Sequence, residues 1–351
     1  MSALEALAGR VLMIGLPEEP DEARARDRIR EIDPGGLILF RRHCPSAERA
    51  AALLSAGRSV LERPALWAID QEGGRVNRFG DWLGEMPTAA VLAERGAEPA
   101  RRFGRHTGRL LHGLGFNVDF APVVDLSPPD RPNGVGDRAW SVDPRRTAVL
   151  AGAFLDGLQT AGVAGCLKHF PGLGETFVDS HRELPRCPHD RAALEARDLI
   201  PFRELSPRAA MVMVSHAMYP ALDETMPASL SSTIVRGWLR ERLGYEGLIV
   251  SDDLEMGAVA PLDEDGGAAV AALSAGCDLL IYGNRDDPPR RARRAIADAA
   301  RKDSDFRRRL EDAAERVERT AARWPAPSTV DAAGAADTWF AAIEGDASLR
   351  V

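Results

Sequence analysis

Much of what would place a chain in a broad class is missing from this sequence. Its four cysteines, Cys44, Cys166, Cys187 and Cys277, are scattered with no Cys-x-x-Cys spacing, which sets aside a disulfide framework or zinc ribbon and leaves buried free thiols as the reading. No stretch approaches the roughly 20 apolar residues of a membrane span. The opening MSALEALAGRVLMIG has no basic start followed by an apolar core and a small-residue cleavage site. A soluble, cytoplasmic protein with no membrane partner is expected. Positive charge is not in excess either: 45 Lys and Arg against 53 Asp and Glu give a net charge of -8, which offers no footprint for nucleic acid. No long internal repeat is visible, so solenoids and propellers are excluded.

What the sequence does have is a series of short apolar runs, each bounded by turn residues: 11–16, 36–40, 65–70, 116–126, 163–170, 209–216, 247–253 and 277–283. Most are continuously apolar rather than alternating, as parallel strands covered on both faces require, and the intervals hold helical patterns such as 100–114 and 232–243. Eight strands alternating with helices predict an α/β fold of the (β/α)8 TIM barrel type, a single domain over residues 1–325. The competing doubly wound open sheet announces itself by a Gly-rich turn after the first strand, and here that strand ends in Gly15-Leu16-Pro17-Glu18. Residues 286–323, rich in Arg, Ala and Glu, read as one or two solvated helices over the barrel. After Pro325 the composition turns to small residues, and 326–351 reads as a loosely held tail with a short helix near Trp339.

In a (β/α)8 barrel the C-terminal strand ends form the active face, so polar residues that terminate apolar runs are the ones to follow. The third run ends in Asp70 and continues through Glu72, Arg75 and Arg78; the fourth ends in Asp125; the fifth in Lys168-His169; the sixth in Ser215-His216; the seventh in Ser251-Asp252-Asp253. Satisfying so many charges at the edge of a core is costly without a functional pocket. After the fifth run, a loop from Pro171 to His181 carries Asp179 and His181. A carboxylate beside an imidazole fixes its tautomer and favours its protonated form, which suits a general acid or base near neutral pH. Because successive strand residues point to opposite faces, only one of Asp252 and Asp253 is expected to face the pocket.

These residues are also the ones that carry a family resemblance. The strings Asp70-Gln71-Glu72-Gly73-Gly74-Arg75-Val76, Lys168-His169-Phe170-Pro171-Gly172 through Asp179-Ser180-His181, and Ser251-Asp252-Asp253-Leu254 resemble the motifs of the single-domain bacterial β-N-acetylglucosaminidases of glycoside hydrolase family 3, associated with muropeptide recycling. Their order and approximate spacing cover most of the chain. The resemblance implies that Asp252 is the nucleophile of a covalent glycosyl-enzyme, that His181 is the general acid and base, and that Asp179 orients it. It implies that Asp70, Arg78, Arg138, Lys168 and His169 hold sugar hydroxyls, and that the partner is a saccharide or muropeptide containing N-acetylglucosamine. Leu173, Glu175 and Trp140 depart from commoner family residues without removing a proposed catalytic atom.

Glycoside hydrolysis needs a proton donor for the leaving oxygen and a carboxylate for the oxocarbenium-like centre. A His in place of the usual second carboxylate does not repel an anionic acceptor, so phosphorolysis at the same site is the alternative reaction. A metal-dependent barrel hydrolase lacks its first-strand His-x-His, and Lys168 opposes a cation. Substrate-assisted hydrolysis would use Asp252 and Asp253 together, against their alternating directions. A catalytically inactive sugar-binding barrel needs none of Asp179, His181 and Asp252. No cofactor is required, and the chain is taken as a monomer. His43, beside Cys44, reads as a loop residue, and His106, His112 and His189 receive no role.

Overall fold

Each apolar run contributes one short strand: β1 (Leu12–Ile14), β2 (Gly36–Leu39), β3 (Leu66–Ile69), β4 (Val118–Asp119), β5 (Ala164–Phe170), β6 (Met211–Val214), β7 (Leu248–Asp253) and β8 (Leu279–Tyr282). The computed structural model describes residues 2–18, 20–128, 130, 134–174, 176 and 184–350. All strand pairs are parallel and follow chain order, and β8 pairs back onto β1 to close the barrel, which excludes the open sheet.

Along each strand the side chains divide between two apolar environments. In β6, Met211 and Met213 point into the barrel, while Val212 and Val214 join the layer between strands and helices. This double burial is why the runs read as continuously apolar. Fully burying such a side chain contributes about 1.5–3 kcal/mol, which is the main source of the barrel's stability.

The long fourth run is the exception. Its ladder with β5 covers only Val118 and Asp119; Pro122, in a cis peptide with Ala121, has no N–H to offer a neighbour. Beyond the ladder the backbone meets β5 where the Cys166 N–H donates to the Ala121 carbonyl at 2.8 Å and at the isolated bridge between Val123 and Lys168.

Helices surround the strands. Ala97–Leu114 and Pro144–Thr160 pack so closely that a Cβ on Gly104 would lie 2.2 Å from the Phe154 carbonyl oxygen, and one on Gly157 would lie 2.0 Å from that of Arg101. Residues 286–323 form two helices, Asp287–Lys302 and Ser304–Arg323. The second closes the end of the barrel away from the strand C-termini, where Val317 and Ala321 complete the interior cluster and the Asn117 side-chain amide donates to the Trp324 carbonyl.

The segment after Pro325, expected to be loosely held, is fastened to the barrel. Its helix Ala332–Gly345 buries Trp339 edge-on against Phe103 at 5.9 Å, and Asp346 pairs with Arg102 at 2.7 Å. Arg102 also donates to Ser348, and Arg95 to the Ser348 and Arg350 carbonyls, partners that composition cannot show. The four cysteines are buried and form no disulfide, and among the described residues no helix is long and apolar enough to cross a membrane.

Candidate active site

At the C-terminal end of the strands, a cleft of about 510 Å³ is lined by Asp70, Glu72, Arg78, Arg138, Lys168, His169, Asp252, Asp253 and Glu255, with Phe40, Phe120, Met213, Met256 and Ile281 supplying apolar surface. Asp70, Arg78, Arg138, Lys168, His169 and Asp252 therefore border one cleft; Asp125 and Ser215-His216 do not line it, and Asp179 and His181 lie outside the described residues.

Asp70 stands one residue beyond β3, and the loop after it is folded back by Gln71. The Gln71 backbone N–H donates to Asp119 at 2.8 Å, and its side-chain oxygen accepts from the Arg78 N–H at 2.8 Å. The turn between requires positive φ at Gly73 and Gly74 (94° and 51°), a region that other residues enter only at a cost. The fold-back carries the Arg78 guanidinium to 3.3 Å from Asp70.

Lys168, one of only two lysines in the chain, reaches Asp70 at 2.8 Å and Glu72 at 2.5 Å. Glu72 also holds Arg138 with both oxygens, at 2.7 Å to Nε and 2.7 Å to Nη2. Glu72 is thus the hub of the array, and its role was not legible in the sequence. Burial raises the carboxyl pKa of Glu72, but Arg138 and Lys168 overcome this and hold it well below the usual range. Asp70 follows the same pattern, with Lys168 and Arg78 outweighing its burial. Both stay ionised, and both cations stay charged, since the paired carboxylates raise Lys168 and Arg138 despite burial.

His169 is oriented from behind by Asp125, which is fully buried. Asp125 accepts from His169 Nδ1 at 2.6 Å, from the His169 backbone N–H at 3.1 Å and from that of Leu173 at 2.7 Å. The pairing fixes the Nδ1–H tautomer and leaves Nε2 for a ligand. Asp125 lies beyond the two-residue β4 ladder, so it acts as a loop residue supporting His169 rather than as a strand end. Asp119, which does end β4, is fully buried, with its pKa pushed well above the carboxylate range by burial.

At the end of β7, Asp252 Oδ1 accepts from the next residue's backbone N–H, at 2.9 Å. Asp253 accepts from the Glu255 and Gly283 N–H groups at 3.0 and 3.3 Å, and from the Asn284 side chain at 3.3 Å. Burial, reinforced by Glu255, lifts the Asp253 pKa to about 7. Strict alternation predicted one of these two aspartates at the pocket, yet both border the cleft. The reason is a register slip in β7 between Val250 and Asp253, which pair with Leu279 and Ile281, so three steps along β7 match two along β8 and alternation is broken.

Two further histidines hold local structure. His43 accepts from the Phe40 N–H at 3.0 Å and donates to the Pro17 carbonyl at 3.3 Å, and burial pushes its pKa down to about 4. His189 pairs with Asp198 at 2.9 Å. Among the described residues no group of three or more His, Cys, Asp or Glu is arranged to hold a metal ion.

Fixed carboxylate acceptors, fixed cationic donors and apolar patches around one strand-end carboxylate suit a polyhydroxylated ligand. Fold and cleft together define a barrel enzyme of the glycoside hydrolase class. Residues 6–320 match the glycosyl hydrolase family 3 N-terminal domain, and the chain belongs to that family. It is similar to a β-hexosaminidase of Alkalilimnicola ehrlichii, 39% identical over 288 residues that cover 79% of this chain and 81% of that one. A solved family 3 β-N-acetylglucosaminidase from Paenibacillus superposes with a TM-score of 0.85 at 32% identity, covering 98% of this chain and 69% of the other. A family 3 glycosyl hydrolase from Mycobacterium smegmatis gives 0.81 at 32% identity, covering 91% and 97%.

Proposed function

We propose that the chain is a retaining exo-β-N-acetylglucosaminidase that removes terminal N-acetylglucosamine from cell-wall-derived muropeptides or related β-N-acetylglucosaminides. The observation that carries this reading is Asp252, placed on the same cleft as Asp70, Arg78, Arg138, Lys168 and His169. The named activities of the similar proteins support the same sugar. In the first half-reaction a carboxylate oxygen of Asp252 bonds to the anomeric carbon as the glycosidic C–O bond breaks, and His181, oriented by Asp179, gives its proton to the departing oxygen. In the second, His181 takes a proton from water as that water's oxygen displaces Asp252. Asp70 accepts from sugar hydroxyls, while Arg78, Arg138, Lys168 and His169 complete the hydroxyl contacts.

The test is release of p-nitrophenol from p-nitrophenyl N-acetyl-β-glucosaminide by wild type, Asp252→Ala and His181→Ala. Loss of turnover in the first and a fall of at least about 100-fold in the second are expected. An Asp252→Ala protein that turns over at the wild-type rate refutes the assignment.

A further inference from the structure

His216 follows β6, does not line the cleft, and has no part in the chemistry above. It is fully buried, and both ring nitrogens are engaged: Nδ1 lies 2.7 Å from Ser229 Oγ, and Nε2 lies 3.0 Å from the backbone oxygen of Asp253. A carbonyl only accepts, so Nε2 carries the proton, and the Ser229 hydroxyl donates to the bare Nδ1. Burial keeps the ring below its usual pKa, against the opposing pull of Asp252, and so in the neutral form that can make both bonds at once. Ser229 is itself held, since its N–H donates to the Ser215 carbonyl at 3.0 Å and the Cys277 thiol donates to the Ser229 carbonyl at 3.5 Å.

The acceptor of this bond sits where β7 leaves register with β8. An extra residue in a strand leaves backbone groups off the ladder, and such groups need a partner from elsewhere. The Asp253 carbonyl takes one donor from the turn after β7, the Met256 N–H at 2.9 Å, and His216 supplies a second from β6, the neighbour on the opposite side from β8. Asp253 is the residue after Asp252, so holding its carbonyl fixes the peptide plane that follows the Asp253 Cα and, one residue back, narrows the backbone from which the Asp252 carboxylate projects.

We infer that His216 is a positioning residue: locked by Ser229 as the Nε2–H tautomer, it pins the β7 bulge from behind and so aims Asp252 at the anomeric carbon. This rests on Asp252 being the nucleophile. A misdirected nucleophile slows the chemical step while leaving the hydroxyl contacts that bind the sugar intact, so the signature is in kcat and not in KM.

The experiment measures kcat, KM and thermal midpoint with p-nitrophenyl N-acetyl-β-glucosaminide for His216→Leu, His216→Gln, Ser229→Ala and Asp252→Ala. His216→Leu removes the donor and is expected to lower kcat by about 10- to 100-fold with KM within about twofold. His216→Gln restores an N–H toward the Asp253 carbonyl and is expected to recover most of that loss. Ser229→Ala keeps the imidazole but releases its tautomer, with kcat down by about threefold or more at constant KM. A His216→Leu kcat within about twofold of wild type, or equal losses in the Leu and Gln variants, overturns the inference. If the Leu protein does not fold, Ser229→Ala decides alone, and an unchanged kcat there overturns it. Turnover surviving in Asp252→Ala removes the nucleophile assignment itself. An inactive Asp252→Ala beside an unaffected His216→Leu removes only the positioning role.

Discussion

Replacing Glu72 by Gln keeps the side chain's shape and deletes one charge at the hub of the cleft. In the wild type, Asp70 and Glu72 face three cations, Arg78, Arg138 and Lys168. The substitution leaves Lys168 its 2.8 Å bond to Asp70, but gives Arg138 one neutral amide oxygen in place of a two-oxygen carboxylate, beside the Gly134 carbonyl at 2.8 Å. Breaking a buried ion pair by removing one partner costs about 3–5 kcal/mol, because the other charge stays buried. The unfolding entropy of a chain of this length is about 0.7 kcal/mol/K, so the thermal midpoint should fall by about 4–7 °C. If Arg138 and Lys168 hold sugar hydroxyls, KM should rise by about tenfold or more in the same variant, since both lose the carboxylate that aligns them. Calorimetry and steady-state kinetics on one preparation measure both effects. A midpoint within about 1 °C of wild type together with an unchanged KM refutes the argument. A lowered midpoint with an unchanged KM refutes only the sugar-binding role.

The other expectations concern acid stability, the C-terminal helix and the reaction's acceptor. His43 titrates near 6.5 when unfolded but at about 4 when folded, so the unfolded chain binds the extra proton. Its contribution is complete above pH 6.5 and is lost as pH falls toward 4, by up to about 3 kcal/mol. Denaturant titrations at pH 7 and 4.5 should show this loss, and it should shrink in His43→Gln. Trp339→Ala should cost about 3–5 kcal/mol by emptying the contact with Phe103 while kcat and KM stay at wild-type values; a coupled loss of activity would contradict the distance of that helix from the cleft. Added phosphate should leave free N-acetylglucosamine as the sugar product, and a sugar 1-phosphate detected by phosphorus NMR would identify a phosphorylase instead.

The strands were legible because burial on both faces writes each of them as an unbroken apolar run. The fourth run misled in extent, since Pro122 ends the ladder that its apolar residues would have continued. The rim was legible because charged residues directly after apolar runs are rare without a reason. Glu72 was not, because its meaning lies in Arg138, 66 positions away, and Lys168, neither of which spacing connects to it. The Asp252–Asp253 pair was misread by alternation, because a bulge is set by the pairing of two strands and leaves no mark on one. The anchoring of the last helix draws on Trp339 and Asp346 within a run of small residues, and the partners that give those two residues their meaning, Phe103 and Arg102, lie on a helix far earlier in the chain.

The Asp253 carboxylate accepts from Gly283 and Asn284, the first residues after β8. The strand that bears Asp252 is thus not finished when it is synthesised; it waits for roughly thirty further residues to arrive and for β8 to slot between it and β1. Until that final strand is seated, the bulge has no partner register to be measured against. Enzymatic turnover in this protein is therefore a report on barrel closure, and a growing or truncated chain that stops short of Gly283 should be silent even where Asp70, Glu72 and Lys168 have already come together.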